Sequence, residues 1–188
     1  GALPAPLEVL EERTVGAGLG SDSIREGITA SIIGLIAVIV FMVLAYGLFG
    51  IFTTVTVLMN LFLMLGALSF MGATLTLPGI AGIILTIGMA VDANVLIFER
   101  MREEVKNGRS TKDAAEAGFT EAWGTIVDSN LTTLVAAFVL FYFGTGPVRG
   151  FAVTLAIGIA TSMFTSVTVT RLIIASWLNK YKPTKLPI

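Results

Sequence analysis

The sequence predicts an all-α membrane protein with five transmembrane helices. Three observations predict it. Five stretches of about 20 residues are almost free of charge, the length that crosses roughly 30 Å of hydrocarbon at 1.5 Å per residue. The composition is 55% apolar and only 13% charged. The basic residues gather in one connection and the C-terminal tail. With its 20 glycines counted, about two-thirds of the chain is apolar, against about 45–50% in ordinary soluble domains. The 12 basic and 13 acidic residues leave a net charge of -1, without the cationic footprint of a nucleic-acid partner. Lacking cysteine and histidine, the chain offers no thiol or imidazole chemistry, no zinc site of the Cys/His kind and no disulfide framework. No catalytic triad, phosphate-cradling loop or metal-ligand cluster is legible, so no enzyme and no cofactor are expected.

Residues 1–27 read as an extracytoplasmic connector: PAPLEVLEERTVGAGL at 4–19 suits an extended segment and a glycine turn. It is acidic and glycine-rich, unlike a cleavable signal peptide. The first span, 28–49, is uncharged and rich in Ile, Val and Leu; the second, 52–73, carries Asn60 as its notable polar residue. The third, 79–98, starts after Pro78, a residue suited to a first helical turn, and contains Asp92. A polar connection at 99–123 carries five basic residues and predicts two short helical pieces parted at Gly108. The fourth span, 124–144, holds Asp128 near its start, and the fifth, 150–177, holds Arg171 near its end; a tail follows at 178–188. If the connection is cytoplasmic, parity puts the tail on the same side. Nine of the 12 basic residues then lie inward and Arg13, Arg25 and Arg149 outward, as the positive-inside bias requires. A chain that starts outside and has an odd number of spans reads as the downstream part of a longer protein.

A carboxylate inside a membrane is expensive, so Asp92 reads either as part of an ion or proton path or as a structural hydrogen bond to a neighbouring helix. Asp92 is about six residues, roughly 9 Å, from the inner end of its span, too deep for a short side chain to snorkel. Helical spacing places Ala81, Leu85, Gly88, Asp92 and Glu99 on one stripe, with Gly88 leaving room for close helix approach. Asn94 points about 200° away and packs elsewhere. Asp128, about four residues into its span, reads either as a helix-starting cap or as a relay group. Thr125, Asp128 and Thr132 share one face; Asn130 and Thr133 form a second polar patch. In the fifth span Thr154, Gly158, Thr161, Thr165 and Thr168 form a stripe that either packs tightly or lines a wet route. Arg171 reaches the inner headgroups of membrane lipids. Met89, Met101 and Met163 read as packing residues.

The segment GIAGIILTIGMAVDANVLIFERMREE at 79–104 resembles the fourth transmembrane helix and following cytoplasmic segment of the SecD branch of the SecD/SecF family. The resemblance continues through DSNLTTLVAAFVLFYFGTGPVRGFAVTLAIGIATSMFTSVTVTR at 128–171 and upstream through residues 1–27, so it covers essentially the whole chain. It implies helices two to six of a six-helix half bundle of the resistance-nodulation-division superfamily. It also implies a bacterial inner-membrane location and work beside the SecYEG channel with SecF, using inward proton flow to help secreted chains leave. YidC and YajC are implied associates, and an unfolded polypeptide is the implied client of the exported domain. Asp92 matches the family's membrane-embedded aspartate in VDAN, the residue implicated in proton coupling; Asp128 and Asn130 match a polar segment facing the same region. The family's functional arginine belongs to the SecF half, so Arg171 does not inherit its role. The alternatives are an assembly scaffold without proton coupling and a related proton-driven lipid or drug exporter.

Overall fold

A computed structural model describes residues 17–187. Its elements are α1 (Ala17–Tyr46), α2 (Leu48–Phe70), α3 (Leu77–Lys106), α4 (Thr111–Phe143), α5 (Pro147–Met163), a π-helical segment (Phe164–Val169) and α6 (Thr170–Tyr181), the last three forming one continuous rod. Five helical rods are therefore long and apolar enough to cross a membrane, matching the five expected spans. The expected connector up to residue 16 lies outside the described residues, while 17–27 extend α1 by eleven residues beyond the apolar run.

The helix ends follow local chemistry. Thr76 caps α3, its Oγ1 accepting from the Gly79 amide at 3.2 Å, and Pro78 occupies the first turn as expected. The polar connection does not form separate short helices. Its first half prolongs α3 and its second half opens α4, because good helix formers and the i,i+3 pairs Arg100–Glu103 (2.9 Å) and Arg102–Glu99 (2.7 Å) run unbroken to the corner. The break comes at Gly108, where φ of 86° suits glycine. Ser110 then caps α4 by accepting from the Asp113 amide, and its hydroxyl donates back to Asp113 Oδ2. Buried Glu104 accepts from Arg109 Nε at 2.6 Å and from Asn107, tying the corner together.

α3 and α5 form the central pair; α4 packs into their groove on one side, α2 on the other, and α1 lies against α2 and α3. In lipid the hydrophobic effect does not drive helices together, so close van der Waals approach and hydrogen bonds must. Two glycines supply the approach. A Cβ at Gly158 would collide with the Thr86 side chain of α3, and one at Gly118 of α4 would collide with Met101. Gly118 also sits against the Ile97 carbonyl, which sets the antiparallel register of α3 and α4. At the corner end, Phe49, Phe98, Tyr46 and Trp177 make a ring cluster with centroids 5.4–5.8 Å apart, joining α1, α2, α3 and α6. The tail folds beneath it: Thr111 Oγ1 donates to the Pro183 carbonyl at 3.1 Å and Leu186 is buried.

Gly158→Leu should lower the unfolding free energy of the purified protein by about 1–3 kcal/mol, since Thr86 cannot retreat from a packed seam. Gly66→Ala, at an open position of α2, should be neutral or stabilising by up to about 1 kcal/mol. Denaturant titration in micelles, followed by tryptophan fluorescence, reads both.

Candidate functional site

The two faces of α3 have opposite fates. Ala81, Leu85, Gly88, Asp92 and Glu99 are all exposed, so the stripe read from helical spacing is a real face, largely uncovered among the described residues; at its corner end Glu99 Oε1 accepts from the Tyr46 hydroxyl of α1 at 2.9 Å. No atom lies within 4 Å of a Cβ built on Gly88, so it packs against nothing here. Asp92 opens into a cleft of about 160 Å³ between α3 and α4, lined also by Met89, Leu96, Ser129, Asn130 and Thr133. Asn130 is buried, its Nδ2 donating to the Ile126 carbonyl at 2.7 Å, which leaves its oxygen as the amide's acceptor. The site is thus a carboxylate, an amide and two hydroxyls at mid-helix, a set able to hold and release a proton. Among the described residues no group of three acids could hold a metal ion.

Asp128 does not line this cleft. It is not a helix cap either, because α4 begins at Thr111 and its cap is Ser110. Its neighbours Ser129 and Asn130 line the cleft with Asp92, so Asp128 stands at about the same level along the bundle. Asp128, Thr125 and Thr132 do share one exposed face, and Thr132 Oγ1 donates to the Asp128 carbonyl at 3.0 Å. Arg171 is exposed at the start of α6, its guanidinium 6.0 Å from the Phe119 ring centroid.

Asn94, on the opposite side of α3 from Asp92, is buried at 1% exposure. Its Nδ2 donates to the Ala90 carbonyl, and its Oδ1 accepts from Thr170 Oγ1 at 2.9 Å. One turn away, Ser166 Oγ donates to the same Ala90 carbonyl at 3.1 Å. These two contacts pin α3 to the π-helical segment and to the start of α6, on either side of the level of Asp92. The π segment also corrects the expected hydroxyl stripe: Thr154, Gly158 and Thr165 face inward, but the wider turn rotates Thr168 to the surface and brings Thr170 in instead. Thr170 Oγ1 reaches back five residues to the Thr165 carbonyl, at 3.3 Å. Thr161 and Thr165 bond carbonyls of their own preceding turn, at 3.1 and 3.0 Å. Asn60 is buried in α2. Ser166 and Thr170 went unread in the sequence because both lie off the four-three stripe; the dense run TSVTVT was the available signal.

A bundle of five helices long and apolar enough to cross a membrane, with a mid-helix carboxylate on an exposed face, defines a multi-pass membrane protein. The family model for "Protein export membrane protein SecD/SecF, C-terminal" matches residues 3–180, and the chain belongs to that family. The protein translocase subunit SecD of Koribacter versatilis is 56% identical over 182 residues, 97% of this chain and 34% of that protein. That of Calditerrivibrio nitroreducens is 55% identical over 188 residues, 100% of this chain and 36% of that protein. The chain therefore spans about a third of the length of the curated relatives it matches. The crystal structure of SecDF from Thermus thermophilus, described as a translocon-associated membrane protein, superposes with a TM-score of 0.91 at 43% identity, covering 96% of this chain and 25% of that one. SecDF in a super-membrane-facing form superposes at 0.83 and 44% identity, with the same coverage.

Thr170→Val should cost about 1 kcal/mol of stability, and a double-mutant cycle with Asn94→Ala should return a coupling of about 0.6–1.7 kcal/mol. Reversible unfolding of the four proteins measures it; additive effects would mean that the bond holds nothing.

Proposed function

We propose that this chain is the membrane part of a SecD-type subunit that assists protein secretion through the SecYEG channel together with SecF, driven by inward proton flow. It acts as a translocation accessory and not as an enzyme. The observation that carries the reading is Asp92: an exposed carboxylate in the middle of a spanning helix, in a polar cleft, on a face left largely open among the described residues. In this reading a helix of SecF lies along Ala81, Leu85, Gly88 and Asp92, using the open space at Gly88 for close approach. The end holding Gly108 and the tail is cytoplasmic and the N-terminal segment is outside, in the bacterial inner membrane; the charge distribution supports this orientation. YidC and YajC are further associates, and the unfolded client meets the exported domain.

Protonation removes the charge of Asp92 and exchanges its hydrogen bonds from acceptor to donor, changing what the facing helix can offer it. A membrane potential of about 100 mV supplies about 2.3 kcal/mol per charge, a bias of roughly fifty-fold per proton. The pinned α3–α5 pair would transmit that bias as one body. Asp128, on an exposed face of α4 close to the level of Asp92, is a second relay group in the same scheme.

Asp92→Asn in the complete protein should abolish the gradient-dependent enhancement of secretion by vesicles carrying SecYEG and SecF. Asp128→Asn should reduce it only severalfold. Full enhancement with a verified Asp92→Asn protein would sink the coupling role, and enhancement indifferent to the gradient would mark an assembly scaffold.

A further inference from the structure

A second cavity lies nearer the corner than the Asp92 cleft, between α4 and α6. Along α4, Lys112, Glu116, Phe119 and Trp123 follow at intervals of four, three and four, a single helical stripe. Two cross-ties close the cavity. Near the corner, Lys112 Nζ donates to Asn179 Oδ1 at 2.9 Å; farther in, Arg171 lies over the Phe119 ring. Between them is a space of about 220 Å³ whose floor includes Ile174 and Leu178.

Its charge is unbalanced. Lys112 and Arg171 face it with Glu116 as the one carboxylate on its lining, and among the described residues neither cation has an ion pair. Lys112 and Phe119 are separated by about 10 Å of helix rise, comparable to the depth of a headgroup layer. Trp123, one turn beyond, is 47% exposed, as suits an aromatic ring at the inner edge of that layer. A cationic pocket with an apolar floor, placed between two spanning helices where the aromatic belt begins, matches a phosphate diester carrying glycerol and acyl carbons. A free phosphate would leave that floor unused.

We infer that this cavity binds the headgroup of an anionic phospholipid, its phosphate held between Lys112 and Arg171 and its glycerol backbone beside Phe119 and Trp123. The inner-leaflet placement rests on the orientation proposed above; the binding itself does not. A partner seated on the open face of α3 leaves the site free, because no residue of α3 lines this cavity. The bound lipid bridges α4 and α6, adding to the Lys112–Asn179 tie.

The test is native mass spectrometry of the full-length protein titrated with phosphatidylglycerol. One molecule should be retained in preference to phosphatidylcholine, which has the phosphate diester but no net charge. Each of Lys112→Gln and Arg171→Gln should weaken it about fivefold, the equivalent of about 1 kcal/mol per cation, and the pair about 25-fold. Lys182→Gln, in the tail outside the cavity, should change nothing. Glu116→Gln should tighten binding severalfold, a gain that misfolding cannot mimic. The inference is overturned by unchanged affinity in the double variant, by an equal loss in Lys182→Gln, by failure to retain any phosphatidylglycerol, or by its displacement with a tenfold excess of inorganic phosphate, which would reassign the pocket to a small anion. None of these readouts depends on proton coupling or on SecF.

Discussion

The close seam between α3 and α5 is the constraint from which the rest of the bundle follows. Gly158 gives up its side chain so that Thr86 can enter, and farther along Ser166 and Thr170 bond the Ala90 carbonyl and the Asn94 amide. In lipid these contacts carry weight because no apolar burial competes with them. Once the two rods are locked, α2 and α4 can only occupy the grooves on either side. α1, almost none of whose apolar window is buried, becomes a peripheral helix facing lipid or a partner.

That seam also decides what α3 can do. Its Asn94 side is shut by hydrogen bonds and its Asp92 side is open, about half a turn around the same helix. A change of charge on the open side is therefore felt by a helix whose other side is fixed to a π-helical segment. Wider turns of this kind place backbone carbonyls and hydroxyls out of the ordinary ladder, and they often mark functional positions. For proton binding to move anything, the two protonation states must differ in contacts at some bistable element. The open face of α3 is where a partner would supply the second set of contacts.

The corner end contrasts with this in every respect. Aromatic rings, ion pairs and the folded-back tail tie four helices together there, and the excess of positive charge lies outside the apolar layer. A rigid, charged base and a polar, hydrogen-bonded mid-section are what a bundle needs if motion is to be confined to the membrane interior while its base stays registered at the surface.

The five crossing helices, the Pro78 start, the break at Gly108 and the grouping of Asp92 with Gly88 on one stripe were all legible in the sequence, whereas the exposure of that stripe was not. Each legible feature depends on a property local to one helix: the length of an apolar run, a capping residue, or the 100° step between neighbours. Extents were less legible, since amphipathic and charged turns prolong α1, α3 and α4 well past the apolar windows that identify them. What only the tertiary structure decided depends on where a second helix stands. The packing of α4 on α3 put Ser129 and Asn130 into the cleft with Asp92 and left Asp128 off its lining. The π segment exchanged Thr168 for Thr170. The meeting of α4 with α6 brought Lys112 and Arg171, 59 residues apart, to one cavity. One helix's phase can be counted along a chain, but the neighbour that buries or exposes each face is chosen by packing between segments that the chain itself keeps far apart.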